Sequence, residues 1–275
     1  MFSVIFPGQG SQIVGMASEF YSKFELFKKL YRQADEVLNF PLSKLILEGP
    51  KEKLDLTENT QPAIFLVGYS IFQILKEEYK IDLSKAKYFA GHSLGEYSAL
   101  TASESLKFEQ TLKILQDRGK AMQSAVPKGE GGMLAVLGAD IEKINQIIKN
   151  NYKNYTCYIA NDNSNGQQVI SGKIKDLNLF SEDLKKNNIK NIKLPVSAPF
   201  HCHLMKPATN IMKDIIMKTD FKNPKNAIVS NVTSTEITKS LEIKDLLIKQ
   251  IESPVRWRES VVYMINNSVK TFIEI

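Results

Sequence analysis

Gly91-His92-Ser93-Leu94-Gly95 is the stretch of this chain best suited to chemistry, because it fits Gly-x-Ser-x-Gly directly after the apolar run at 88–90. In a nucleophile elbow the serine sits on a sharp strand-to-helix turn, with its hydroxyl exposed at the top of a sheet. Flanking glycines let the backbone turn that tightly without a Cβ clash. A helix is expected next, over 96–106: Ala99, Ala102 and Leu106 share one face, and Glu96 lies in a first turn that favours negative charge. Chemically, Ser93 is then a covalent nucleophile. The bland alternative is a glycine-flanked surface turn in which it caps a helix.

A serine nucleophile needs a base, and the sequence has three histidines. His92 adjoins Ser93, so the turn is expected to point its side chain away. His201 and His203 lie together in Ser197-Ala198-Pro199-Phe200-His201-Cys202-His203, and either is open as the base. Two close histidines also raise a metal reading, but a spacing of two, with no helical i, i+4 pair and no Cys-x-x-Cys partner, argues against zinc. The glycine-rich run Pro7-Gly8-Gln9-Gly10-Ser11-Gln12 invites a phosphate reading. A dinucleotide fingerprint would want glycine where Ile13 stands, and no Gly-Lys-Ser/Thr follows. What remains is a loop of backbone N–H groups suited to an oxyanion. Arg118, in Gln116-Asp117-Arg118-Gly119-Lys120, reads on its own as a solvated helix end making surface ion pairs.

These residues need elements to position them. Phe2–Phe6 is a continuous apolar strand, as expected where both faces are covered. Helical spacing fills 18–38 and 63–79, the latter opening after Thr60-Gln61-Pro62, and a further helix spans Phe108–Ser124. From Gly131 the rhythm becomes β-α-β-β-α-β: strand 133–137, helix Ile141–Asn150, strands 155–160 and 168–171, helix 174–187 and strand 191–195. That order is the ferredoxin-like arrangement. Helix 204–218, strand 227–230, helices 243–251 and 258–266 and strand 271–275 then resume the longer rhythm. The expectation is an α/β protein whose main domain is discontinuous, residues 1–126 and 198–275, with a small subdomain over 127–197.

Length permits one large domain with an insertion. No apolar run approaches the roughly 18 residues of a membrane span, and the N-terminus lacks a signal-peptide core, so no membrane partner and a cytoplasmic location are expected. Cys157 and Cys202 form no metal or disulfide spacing and read as packing residues in a reducing compartment. Lys and Arg number 36 against 30 Asp and Glu, a net charge of +6 with a sequence pI near 9.0. This favours anionic partners. The lysines are dispersed rather than gathered with aromatics, which argues against nucleic acid.

Taken in order, Val4 to Gln12, then Gly91 to Tyr97, then Arg118-Gly119 with Met122-Gln123, then Phe200-His201, and Pro254-Val255 with Trp257, resemble the motifs of the malonyl-CoA:acyl carrier protein transacylases. The likeness spans nearly the whole chain. Pro-Gly-Gln-Gly-Ser-Gln followed by Gly-His-Ser-Leu-Gly-Glu-Tyr is highly specific, whereas Gly-x-Ser-x-Gly alone is shared by many hydrolases.

The resemblance implies an α/β-hydrolase-like core with an inserted ferredoxin-like subdomain. It implies Ser93 as nucleophile, His201 as its base, and the backbone carbonyl of Gln250 orienting that base. The N–H groups of Gln9 and Leu94 become the oxyanion hole, and Arg118 the receptor for the free carboxylate of malonate. Malonyl would pass from malonyl-CoA to Ser93, and then to the phosphopantetheine thiol of an acidic acyl carrier protein, by a ping-pong route that supplies fatty-acid chain elongation. No cofactor, no metal and a monomer are expected. Phe200 before His201 mildly favours malonyl over methylmalonyl. Family members continue past Phe272-Ile273-Glu274-Ile275 into a Gly-Pro-Gly turn and a helix; without them the expectation is either a less stable protein or a truncated one. The rivals are a serine esterase or thioesterase and a non-catalytic binding module.

Overall fold

The computed structural model of the chain describes residues 1–196 and 198–275, so Ser197, the expected last residue of the inserted unit, lies outside the described residues. Strands β1 (Phe2–Phe6), β2 (Tyr88–Gly91), β3 (Gly131–Leu137), β4 (Cys157–Ser164), β5 (Gln167–Lys173), β6 (Lys190–Lys193), β7 (Ala227–Val229), β8 (Glu236–Ile237) and β9 (Thr271–Glu274) make two sheets. The first has the order β8-β7-β2-β1-β9, with β7, β2, β1 and β9 parallel and β8 antiparallel at the edge. Its inner strands β1, β2 and β7 are mostly apolar because helices cover both faces, whereas the edge strands β8 and β9 carry Glu236, Thr271 and Glu274. Val4, Phe6 and Phe89 face the larger helical layer, and Tyr88, Ala90 and Val229 pack on Met264 of the Trp257–Asn266 helix.

Parallel pairing has a direct consequence for the site. The loops after β1, β2 and β7 all leave the carboxyl edge of the sheet, so Gln9, Ser93 and Asn231 emerge side by side although they are far apart in sequence. His92 N–H donates to Phe6 O at 3.0 Å, which seals the serine turn to the end of β1.

The second sheet, β4-β5-β3-β6, is antiparallel and carries the helices Ile141–Asn150 and Ile174–Lys186. Period-two alternation divides its side chains. Leu134 and Val136 point to those helices and meet Ile144, Phe180 and Leu184, while Met133 and Val169 join the main core. Asp140 caps the first of these helices by accepting the Lys143 N–H at 2.8 Å. The two sheets meet where Asp162 N–H donates to Val255 O and Val255 N–H to Ala160 O, with Arg258 paired to Asp162 at 2.8 Å.

Several expected elements differ. The helix over 18–38 is two, Ser18–Lys23 and Glu25–Leu38, because Phe24 is extended and its ring lies against Phe20 and Tyr79. The helix expected from 63 spans Thr57–Glu77 and contains Pro62. Close packing holds that first turn: a Cβ on Gly119 would lie 2.5 Å from Thr57 O and Glu58 Cα, so the Phe108–Ser124 helix crosses at touching distance. The helix after Ser93 is Gly95–Ala102, ending where Glu104 takes a positive φ. Helix Leu42–Glu48 and the two-residue β8 carried too short a pattern to be read.

Candidate active site

Ser93 sits at φ 55°, the left-handed region that residues with a Cβ avoid. The glycines around it supply space rather than positive φ. A Cβ on Gly91 would fall 1.9 Å from Gly95 O, and one on Gly95 would fall 2.5 Å from Phe6 O. The serine turn is therefore pressed against both its own helix and the end of β1.

Ser93 Oγ lies 2.8 Å from His201 Nε2, and His201 Nδ1 lies 2.9 Å from the main-chain oxygen of Gln250. A carbonyl can only accept, so Nδ1 carries the proton and Nε2 is left bare to accept from the serine hydroxyl. Burial, and after it the Arg118 guanidinium, pull the His201 pKa down to about 3, against the Gln250 carbonyl, which favours the cation. The imidazole is thus neutral at physiological pH and able to take a proton. His203 resolves differently: its side chain is 74% exposed and lies 3.4 Å from Glu252. Among the described residues no aspartate hydrogen-bonds the imidazole; Asp162, for example, is taken up by Arg258.

Arg118 is 1% exposed, not on a solvated helix end. Its Nη1 donates to Gln61 Oε1 at 2.7 Å, and its Nη2 donates to Gln250 Oε1 at 2.9 Å and to Ser93 Oγ at 3.2 Å. Its Nε makes no well-formed hydrogen bond among the described residues; the buried Tyr97 hydroxyl, also without one, is a polar neighbour of the guanidinium. A buried guanidinium N–H left unanswered is costly, and a carboxylate presenting two oxygens is the group that answers it best.

Glu96, also 1% exposed, lies behind the serine turn. Its Oε2 accepts from Gln250 Nε2 at 2.7 Å and from the Asn231 N–H at 3.2 Å. Burial raises its pKa to about 7, against the opposing pull of these donors and of Arg118. Asn231 in turn accepts the Ser93 N–H at 2.7 Å.

The cavity above Ser93 is about 240 Å³ and is lined by Gln9, Leu94, Arg118, Met122, Phe200 and His201 among others. The amide N–H groups of Gln9 and Leu94 make no hydrogen bond with any described residue, so both are free for a ligand oxygen. His92 turns away from the serine, its Nε2 2.9 Å from Asn163 Oδ1 and its ring edge-on to Trp257. Cys157 and Cys202 are buried with thiol pKa values pushed up by burial to about 12 and about 11, which leaves them unreactive. No group of three metal-ligating side chains occurs among the described residues. No helix of the described residues is long and apolar enough to cross a membrane.

The structure thus brings together all six residues the sequence pointed to, Gln9, Ser93, Leu94, Arg118, His201 and Gln250. Reading the sequence missed Gln61, Asn231 and the carboxylate of Glu96. Only Glu96 lay inside a motif; Gln61 and Asn231 carry no local signal, since their parts depend on helix crossing and strand order.

Fold and site together define an α/β protein with a serine–histidine pair at a strand-to-helix turn and a buried arginine at its side. Residues 3–275 match the acyl transferase domain family. Over 273 residues, 98% of this chain and 85% of the relative's length, the sequence is 43% identical to a malonyl CoA-acyl carrier protein transacylase of Bacillus subtilis. It is 36% identical to the protein of that name from Haemophilus influenzae, covering all of this chain and 88% of the relative. The acyl-carrier-protein S-malonyltransferase of Bartonella henselae superposes with a TM-score of 0.96 at 38% identity, over all of this chain and 88% of that one. A malonyl-transacylase solved in complex with its type II polyketide acyl carrier protein superposes at 0.95 with 34% identity, covering 99% of this chain and 88% of that one. The chain belongs to the malonyl-CoA:acyl carrier protein transacylases, a family of acyltransferases.

Proposed function

We propose that this protein moves malonyl from malonyl-CoA to the phosphopantetheine thiol of an acyl carrier protein through an acyl-serine intermediate. The observation that carries the reading is the buried Arg118, hydrogen-bonded to the nucleophile's own oxygen and with no well-formed hydrogen bond at Nε among the described residues, in the cavity that holds the Ser93–His201 pair. It supports an acyl group that ends in a carboxylate.

In the first half-reaction Ser93 Oγ attacks the thioester carbonyl as its proton passes to His201 Nε2. The tetrahedral oxyanion forms between the Leu94 and Gln9 N–H groups, donors worth roughly 3 kcal/mol each in comparable sites. The C–S bond breaks, the CoA sulfur takes the proton from His201, and malonyl remains on Ser93. In the second half the carrier's thiol gives its proton to His201 and attacks the ester, and the proton returns to Ser93. One base serves both halves, and the chain's own groups supply every proton transfer without a cofactor. The Gln250 carbonyl fixes the tautomer. It stabilises the transient imidazolium less than a carboxylate would.

The architecture we propose is an α/β-hydrolase-like core, residues 1–126 and 198–275, interrupted by a ferredoxin-like unit over 127–197. The order β4-β5-β3-β6 and the β-α-β-β-α-β succession support it. The net charge of +6 suits an acidic carrier as partner. We place the reaction in the cytoplasm, with a monomer feeding fatty-acid chain elongation. Single-turnover incubation with malonyl-, acetyl- and methylmalonyl-CoA tests the reading: a mass gain on Ser93 greatest with malonyl-CoA is expected, and release to the carrier on its addition. Fast hydrolysis that ignores the carrier would make it a thioesterase instead.

A further inference from the structure

Ser93 is held in a backbone conformation that its Cβ disfavours, so something outside the turn must hold it there. The turn is gripped from both of its peptide groups. Asn231, fully buried just after β7, accepts the Ser93 N–H on Oδ1 at 2.7 Å and donates from Nδ2 to Gly91 O at 2.8 Å. One planar carboxamide thus spans the turn, and its two partners fix which prong is oxygen and which nitrogen. Its own backbone is tied down as well: its N–H goes to Glu96 Oε2 at 3.2 Å, and its C=O accepts the Arg256 N–H at 3.1 Å. Beside it, Gln250 Nε2 donates to Ser93 O at 3.1 Å and reaches Asn231 Oδ1 at 3.5 Å.

We propose that Asn231 is the positioning residue that keeps Ser93 in its reactive geometry, a role that rests on reading Ser93 as the nucleophile. Without the carboxamide the Ser93 N–H and Gly91 O lose their partners. The turn is then free to relax toward negative φ, taking Oγ away from His201 and turning the Leu94 N–H out of line. Asparagine is the residue the task requires, because aspartate in its ionised form accepts from Ser93 but cannot donate to Gly91. It would also face the Glu96 carboxylate, with Arg118, His201 and, within the turn itself, His92 as the other ionisable groups.

The test compares wild type, Asn231→Ala and Asn231→Asp by melting temperature, steady-state malonyl transfer and malonyl mass on Ser93. For Asn231→Ala, kcat is expected to fall about 100-fold, the scale of a small misplacement of reacting groups, with KM for malonyl-CoA unchanged. Asn231→Asp is expected to recover activity relative to wild type as pH is lowered, because the protonated carboxyl regains a donor for Gly91 O. A merely structural asparagine would not produce that recovery. Wild-type kcat in either folded variant at every pH overturns the proposal, as does a loss of turnover that only follows the loss of folded protein. Should Asn231→Ala fail to fold, the pH response of Asn231→Asp decides. If wild type itself takes up no malonyl on Ser93, the functional reading fails first and this role with it. If wild type acylates and the variants match it, only the role of Asn231 fails.

Discussion

The two sheets build one cavity by opposite means. The parallel sheet contributes the polar groups of the candidate site: its carboxyl edge delivers Gln9, Ser93 and Asn231, the last two tied into a buried network with Arg118, Glu96, His201 and Gln250. The antiparallel sheet contributes a wall, with Met133, Ala135 and Val169 facing the cavity and Asn161 and Asn163 reaching His92. Parallel strands put all their carboxyl ends on one side, where loops from distant parts of the sequence can meet. Antiparallel strands alternate direction and so gather no comparable edge, but their period of two gives a flat face with the helices behind it. The polar groups of the candidate site therefore come from the first sheet and the apolar wall from the second.

Four measurements would break or sharpen that division, taken from the strongest effect on turnover downward. His201→Ala is expected to lower acylation of Ser93 by on the order of 10⁴-fold or more, as loss of the base does in serine enzymes. Rapid-quench acylation kinetics on the folded variant give the number, and a loss below tenfold would place the base elsewhere. Arg118→Ala should cost about 10²- to 10³-fold in malonyl kcat/KM, the scale for a buried charged pair losing one partner. Acetyl transfer should fall far less, and equal losses for the two substrates would remove Arg118 from carboxylate recognition.

The third effect is one of pH. Glu96 holds its proton in the native state up to about pH 7, whereas it ionises near 4.5 when unfolded. Between these values the native state binds more protons, so this residue's contribution to stability declines as pH rises. The decline is on the order of 3 kcal/mol across the window. Glu96→Gln removes it, so urea titrations should show the variant gaining on wild type from pH 4.5 to 7 and keeping a constant difference above. His201 works in the reverse sense. Its folded pKa of about 3 against 6.5 makes stability fall as pH drops below 6.5, and it is common to both proteins, so it cancels in the comparison. A flat difference would mean that folding leaves the Glu96 pKa unshifted.

The smallest effect on turnover is expected behind the antiparallel sheet. Phe180→Leu shortens a buried ring that packs on Tyr155 with centroids 5.7 Å apart, and should cost about 1–2 kcal/mol of stability. Its kcat for malonyl transfer should match wild type within error, and a drop in kcat with the fold intact would show that the wall also positions the reacting groups.

Much of this was legible in the residues. Gly91 to Gly95 after an apolar run marked the serine turn, since steric rules for strand, turn and helix act locally. The β-α-β-β-α-β succession was readable for the same reason, each element showing its own period. Pro62 misled because a proline normally marks a helix boundary, and only the crossing of the Phe108–Ser124 helix at Gly119 shows why the earlier turn is helical. Arg118 read by itself as a surface charge because burial is not a local property.

The sequence by itself determined the serine turn, the apolar strands and the order of elements, all set by contacts within a few residues. Tertiary structure alone decided which histidine faces Ser93, that Arg118 is buried with no well-formed hydrogen bond at Nε among the described residues, and that Asn231 and Glu96 stand behind the turn. Those outcomes depend on strand order and helix crossings, which bring residues more than a hundred positions apart within hydrogen-bonding distance. A hydrogen bond acts only at that range, so its partners exist for the chain only once the fold has closed.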